Sequence, residues 1–151
     1  MNDLIREGSR WLSQAEDDYR FVEWIRLQDG FHDKICFMSQ QAGENILKAC
    51  LYASGKRKVW GHSLAEMTIE LSRISPSFQD LLPPTKRLDR YYIAPNYPNG
   101  LPGLCPFQAY TADDSADAWN DLQMIFTHCR PYLAPLLAPG GQGCVCECAR
   151  E

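Results

Sequence analysis

The sequence is poor in what several large function classes require. Its 15 lysines and arginines are outnumbered by 19 aspartates and glutamates, giving a formal net charge of -4 at pH 7. No overall positive field draws such a chain onto phosphates, so any contact with nucleotide or RNA has to be made locally. Long apolar runs are missing too. Charges interrupt each hydrophobic stretch before it reaches the roughly 20 residues of a bilayer-spanning helix, and residues 1–7 lack the apolar stretch of a signal peptide. A cytoplasmic protein with no membrane association is expected. Histidine is scarce, with three in the chain. His32 and His128 each stand alone on a predicted helix with no acid or cysteine at ligand spacing, so neither a metal nor another cofactor is expected. Strand alternation and internal repeats are also absent.

Cysteine is plentiful, at seven residues, yet without secretion a disulfide framework is not expected. Cys36, Cys50 and Cys129 fall on apolar helix faces, where a free thiol behaves as a small hydrophobe. Cys144, Cys146 and Cys148 alternate and do not match the C-x-x-C spacing of structural zinc. They read as reactive thiols on a tail.

What is present describes a single helical domain. The chain has 151 residues, 45% hydrophobic and 23% charged, which suits one core. Trp11, Ala15, Tyr19, Val22 and Ile25 recur at helical spacing and predict a first helix. After Asp29-Gly30, the set Ile35, Met38, Ala42, Ile46, Ala49 and Ala53 predicts a second, ending at Gly55. Ser63 and Glu66 have the spacing of a capping box that opens a third, with Leu64, Met67, Leu71 and Ile74 on its buried face. Pro76 ends that run. A fourth helix is expected to begin near Pro84, because proline is tolerated in a first turn, and to carry Lys86, Arg87 and Arg90. The last opens at Thr111-Ala112-Asp113-Asp114 and continues through Ala116, Trp119, Leu122, Phe126, Cys129 and Leu133, with Pro131 expected to kink or end it. The expected architecture is all-α: an up-and-down bundle of four to five helices over residues 8–137. Residues 138–151, rich in Gly and Cys, have the composition of a flexible tail.

Residues 91–110 do not fit a minimal bundle. They hold four prolines, two glycines and four tyrosines, and a Pro/Tyr-rich loop of this length before the last helix is unusual unless it has a function.

Three stretches together resemble the HEPN family. The first is Cys36-Phe37-Met38-Ser39-Gln40-Gln41-Ala42-Gly43-Glu44-Asn45-Ile46-Leu47-Lys48-Ala49, similar to the family's second-helix pattern. The second is Gly61-His62-Ser63-Leu64, opening the third helix. The third, Leu88-Asp89-Arg90-Tyr91-Tyr92-Ile93-Ala94-Pro95-Asn96-Tyr97-Pro98, resembles the arginine motif after the fourth helix. The resemblance implies a homodimer with the arginine motifs of two protomers near one another. It also implies a nucleotide- or RNA-binding module partnered by a small nucleotidyltransferase, as in a toxin–antitoxin system. Ribonuclease members of the family carry a histidine a few residues after the arginine. Here those positions hold Pro95, Asn96 and Tyr97, and asparagine cannot exchange a proton near neutral pH. The resemblance therefore favours binding. A metal-independent ribonuclease using Arg90, with Asn96 or Tyr97 orienting the attacking hydroxyl, is the alternative, and a non-catalytic dimeric interaction protein is a further one.

Each candidate residue has a plainer reading beside the functional one. Arg90 can hold a phosphate or a transition-state charge, or pair with Asp89, Glu44 or another acid. Asn96 can orient a ligand, or simply suit a Pro-rich turn. Tyr91, Tyr92 and Tyr97 can stack on a base, or pin the loop with their rings. His62 can replace the missing base, or hydrogen-bond backbone beside the Ser63 cap. Gln40, Glu44 and Lys48 share one helix face, and Glu44–Lys48 is equally an ordinary helix-surface ion pair. Lys56-Arg57-Lys58 followed by Trp60 can touch RNA phosphates, or be a solvated connection.

Overall fold

The computed structural model describes residues 2–137. Six α-helices follow one another: α1 (Asn2–Ile25), α2 (His32–Ala53), α3 (Leu64–Ser72), α4 (Leu82–Asp89), α5 (Pro106–Ala109) and α6 (Ala112–Leu133). Short 3₁₀ turns lie at Pro76–Leu81, Pro98–Gly100 and Ala134–Leu137. The described residues contain no strand, in line with the all-α expectation. The Gly- and Cys-rich segment 138–151 lies outside the described residues.

α2 occupies the centre and packs against α1, α6, α3 and α4. α1 and α2 are joined by a short turn and contact one another along their length, which makes them an antiparallel helical hairpin. The shared core includes Val22, Ile46, Leu47, Leu64, Leu88, Leu122 and Phe126, each fully buried. Gly43 permits the closest approach: a Cβ at this position would lie 2.7 Å from Leu64 Cδ2, with Leu88 and Ile125 on its other sides. One residue without a side chain thus lets α3, α4 and α6 converge on α2.

The helix ends follow the expected chemistry. Gly55, at φ +94, closes α2 in the left-handed conformation that glycine adopts without strain. Its N–H donates to the Tyr52 carbonyl and the Lys56 N–H to that of Leu51, which is the Schellman pattern. At the other end of the molecule, the Thr111 and Asp114 side chains cap one another's backbone amides at the start of α6.

Several local expectations need correction. α1 begins well before Trp11. α4 does begin near Pro84, at Leu82, so Pro83 and Pro84 both lie in its first turn, where no amide is needed. Of the two outcomes expected at Pro131, a kink or an end, the end does not occur there, since α6 runs two residues further. Ile74 is 55% exposed because α3 stops at Ser72 and the chain turns away. Ala116 is exposed while Ser115 and Ala118 point inward, because Ala116 lies about 120° around the helix from Leu122. The segment 91–110 is not wholly irregular, since it contains the Pro98–Gly100 turn and α5.

Candidate functional site

Along one face of α2, Gln40, Glu44 and Lys48 follow one another at one-turn spacing. They are 0%, 4% and 7% exposed, so the expected helix-surface pair is instead a buried polar cluster. Lys48 Nζ donates to Glu44 Oε1 at 2.7 Å and sits 4.7 Å from the centre of the Trp11 ring. Gln40 Nε2 donates to Glu44 Oε2 at 3.1 Å. A carboxylate withdrawn this far from water needs such partners, because an unpaired buried charge costs several kcal/mol.

The third partner of Glu44 comes from the α2–α3 connection. His62 Nδ1 lies 3.0 Å from Glu44 Oε1, and the His62 backbone carbonyl accepts from Gln40 Nε2 at 3.4 Å. The ring was expected to bond backbone near the Ser63 cap; it turns to the carboxylate instead. A carboxylate only accepts, so Nδ1 donates to it and Nε2 is left for other contacts. The Tyr92 ring stacks on the imidazole, with centroids 4.9 Å apart and planes 18° from parallel. His62 is thereby held from two sides, although its side chain stays 56% exposed.

This arrangement forms one wall of a cleft of about 490 Å³, lined by Phe37, Gln41, Glu44, His62, Tyr92, Ile93, Asn96 and Tyr97. The fold thus gathers His62, Glu44, Tyr92, Asn96 and Tyr97 at one place from three separate stretches of sequence. Tyr97 is 56% exposed and Asn96 is exposed beside it. Gln40 and Lys48 stand behind the wall as supports of Glu44.

Arg90 does not line the cleft. It is the residue after α4, exposed, and makes no salt bridge or side-chain hydrogen bond among the described residues. The neighbouring acid considered for it is engaged elsewhere. The Asp89 carboxylate accepts from Leu64 N at 2.7 Å, Ala65 N at 3.1 Å and Ser63 Oγ at 2.7 Å. Asp89 therefore caps α3 from the end of α4, and only half of the expected capping box forms locally, from Glu66 N to Ser63 Oγ. Arg87, one turn earlier, is held by Asp121 on α6 through Nε and Nη2. Of the two arginines, only Arg90 is without an acidic partner among the described residues.

Sequence reasoning missed Phe37, Gln41 and Ile93 in the lining. Phe37, Gln41 and Glu44 fall on one face of α2 by helical spacing, which is the signal that finds the first two. Tyr91 pins its segment, packing edge-on against Tyr110 at 5.9 Å near Cys36, whose thiol is pushed up to about 12 mainly by burial. His32 bonds Ser115 Oγ and His128 lies near Ser77 Oγ and the Phe78 ring, so both serve helix packing. Among the described residues, no three His, Cys, Asp or Glu side chains converge as metal ligands. No helix described is long and apolar enough to cross a membrane.

The model of the HEPN domain matches residues 3–131. Two solved structures are similar. The crystal structure of TT1696 from Thermus thermophilus shares 30% identity at a TM-score of 0.76, over 85% of this chain and 99% of that one. ST0689, described as an archaeal HEPN homologue, shares 26% identity at a TM-score of 0.67, over 83% of this chain and 96% of its own. No curated protein matches. The family match spans all of the long helices, α6 to within its last turn, and the structural similarity covers most of the chain, so the chain belongs to the HEPN domain family.

Proposed function

We propose that this protein is a nucleotide- or RNA-binding module whose ligand enters the cleft between α2 and the 92–97 segment. The observation that carries the reading is the His62–Tyr92 stack backed by buried Glu44, in a cleft that exposed Tyr97 also lines. Aromatic rings offer a base a stacking face. His62 Nε2 and the Asn96 amide supply hydrogen bonds that a sugar or phosphate can accept or return. Arg90 stands two residues before Tyr92 with its guanidinium exposed and supplies the positive charge that the chain as a whole lacks. Titration with ATP, GTP and a short RNA tests this: Tyr97→Ala is expected to weaken binding by about ten-fold, the size of one lost stack. Binding at unchanged affinity in both Tyr97→Ala and Arg90→Ala variants sinks the proposal.

HEPN membership supports the remaining parts of the reading, a small nucleotidyltransferase as protein partner and a homodimer that brings two Arg90 motifs together. Co-elution with such an enzyme and sedimentation of the purified chain test these parts.

One observation favours a second reading, metal-independent RNA cleavage. Glu44 orients His62 so that Nε2 is available at the cleft, giving the chain an imidazole in place of the one missing after Arg90. In this reading His62 takes the 2′-hydroxyl proton as that oxygen bonds to phosphorus, Asn96 or Tyr97 orients the hydroxyl, Arg90 stabilises the charge gathering on the phosphoryl oxygens, and the 5′-oxygen leaves with a proton from water. RNA cleavage abolished by both Arg90→Ala and His62→Ala selects it; no cleavage by the unaltered protein leaves the binding module.

A further inference from the structure

The connection between α2 and α3 carries a second set of exposed groups beside the cleft. Lys56 is tied to Glu70 of α3 and Val59 packs against the core, which anchors the connection at two points. Between and beyond these anchors, Arg57 and Lys58 are exposed and make no ion pair or side-chain hydrogen bond among the described residues. Trp60 is 83% exposed. It stands two residues before His62, so its backbone lies within about 7 Å of the cleft wall. An indole left this far in water next to two cations without acidic partners is the combination that a single-stranded polynucleotide uses, base against ring and phosphate against cation. In a chain of net charge -4, such a local basic pair is also where an electrostatic contact with a polyanion has to be made.

We infer that the cleft continues onto this connection and takes a strand of single-stranded RNA, with Trp60 stacking on a base flanking the one in the cleft and Arg57 and Lys58 meeting its phosphates. This inference rests on the nucleotide-binding reading above and names its substrate class as a strand several nucleotides long.

The test compares AMP with a 2′-O-methyl hexa-adenylate, which cannot be cleaved through a 2′-hydroxyl, by calorimetry at several salt concentrations. The hexamer is expected to bind the unaltered protein at least about ten-fold more tightly than AMP, and Trp60→Ala to remove about ten-fold of hexamer affinity while leaving AMP binding unchanged. The double variant Arg57→Gln with Lys58→Gln is expected to lower the slope of log affinity against log salt by about 1.4 for the hexamer. Equal affinity for AMP and hexamer, or a hexamer affinity indifferent to Trp60→Ala, overturns the inference while leaving the cleft reading in place. Binding of neither overturns both, and binding of the hexamer alone, dependent on Trp60, upholds the strand while refuting a mononucleotide site. All the altered positions are exposed, and helical circular dichroism confirms that the variants fold.

Discussion

Among the buried carboxylates, Asp18 on α1 and Glu44 on α2 have surroundings that differ in kind. Asp18 of α1 is 8% exposed and is held by two neutral amides, Gln14 Nε2 and Asn45 Nδ2, each at 2.8 Å. Glu44 is 4% exposed and is held by Lys48, His62 and Gln40. Neutral amides bond a carboxylate without cancelling its charge. Accordingly, burial raises the Asp18 pKa above its ordinary value of 3.8, with a smaller push from Asp17, while the bonds from Gln14 and Asn45 oppose the rise. Asp18 is a joint between two helices, bonded to Asn45 of α2 from α1. Glu44 has a positively charged lysine behind it and an imidazole in front that opens onto a cleft. Buried charge by itself therefore does not mark a site; what matters is whether one of its partners still faces solvent.

The sharpest way to break this contrast is to remove Glu44. Glu44→Ala leaves Lys48 buried without its anion and His62 without its holder, and is expected to cost about 3–5 kcal/mol of stability in urea denaturation. Asp18→Ala leaves only two amides to find new partners and should cost less, about 1–3 kcal/mol. Equal losses for the two variants would mean that the charge of Lys48 beside Glu44 adds nothing.

A smaller effect is expected from Asp89→Ala, which frees the first amides of α3. The expected loss is about 1–2 kcal/mol, read as a lowered melting temperature. Because α3 follows directly on His62 and Ser63, the same variant should weaken ligand binding at the cleft.

The smallest effect concerns pH. The folded state binds a proton on Asp18 more tightly than the unfolded chain does, so this group's contribution is fully present below the unfolded value near 3.8 and is lost as pH rises through the raised folded value. Relative to Asp18→Asn, the unaltered protein should therefore gain stability as pH falls from about 7 towards about 4. A gap between the two that stays constant over this range would show that burial does not perturb Asp18.

Much of the bundle was legible in the sequence. Apolar spacing placed Val22, Ile46, Leu122 and Phe126 in the core, and Gly55 and Thr111 marked the end of α2 and the start of α6, because caps and periodicity act between residues a few positions apart. Ala116 and Ile74 were misplaced where a helix face drifts or a helix stops early. The cleft was only partly legible. Its residues Asn96 and Tyr97 stood out in an unusual segment, but His62 and Tyr92 lie 30 residues apart, and no local pattern says that they stack. Nor could spacing show that Asp89 reaches back to cap α3, which removes it as a partner for Arg90.

The sequence by itself determined an all-helical HEPN bundle, since helical periodicity, proline and glycine placement and the three family motifs are all short-range features of the chain. The tertiary structure decided which polar residues belong together. It turned the Gln40–Glu44–Lys48 stripe from a surface feature into a buried support, brought His62 to its open end and left Arg90 outside the cleft wall. The physical reason is that a buried charge is tolerable only with partners around it, and those partners come from elements far apart in sequence that meet only once the helices have packed.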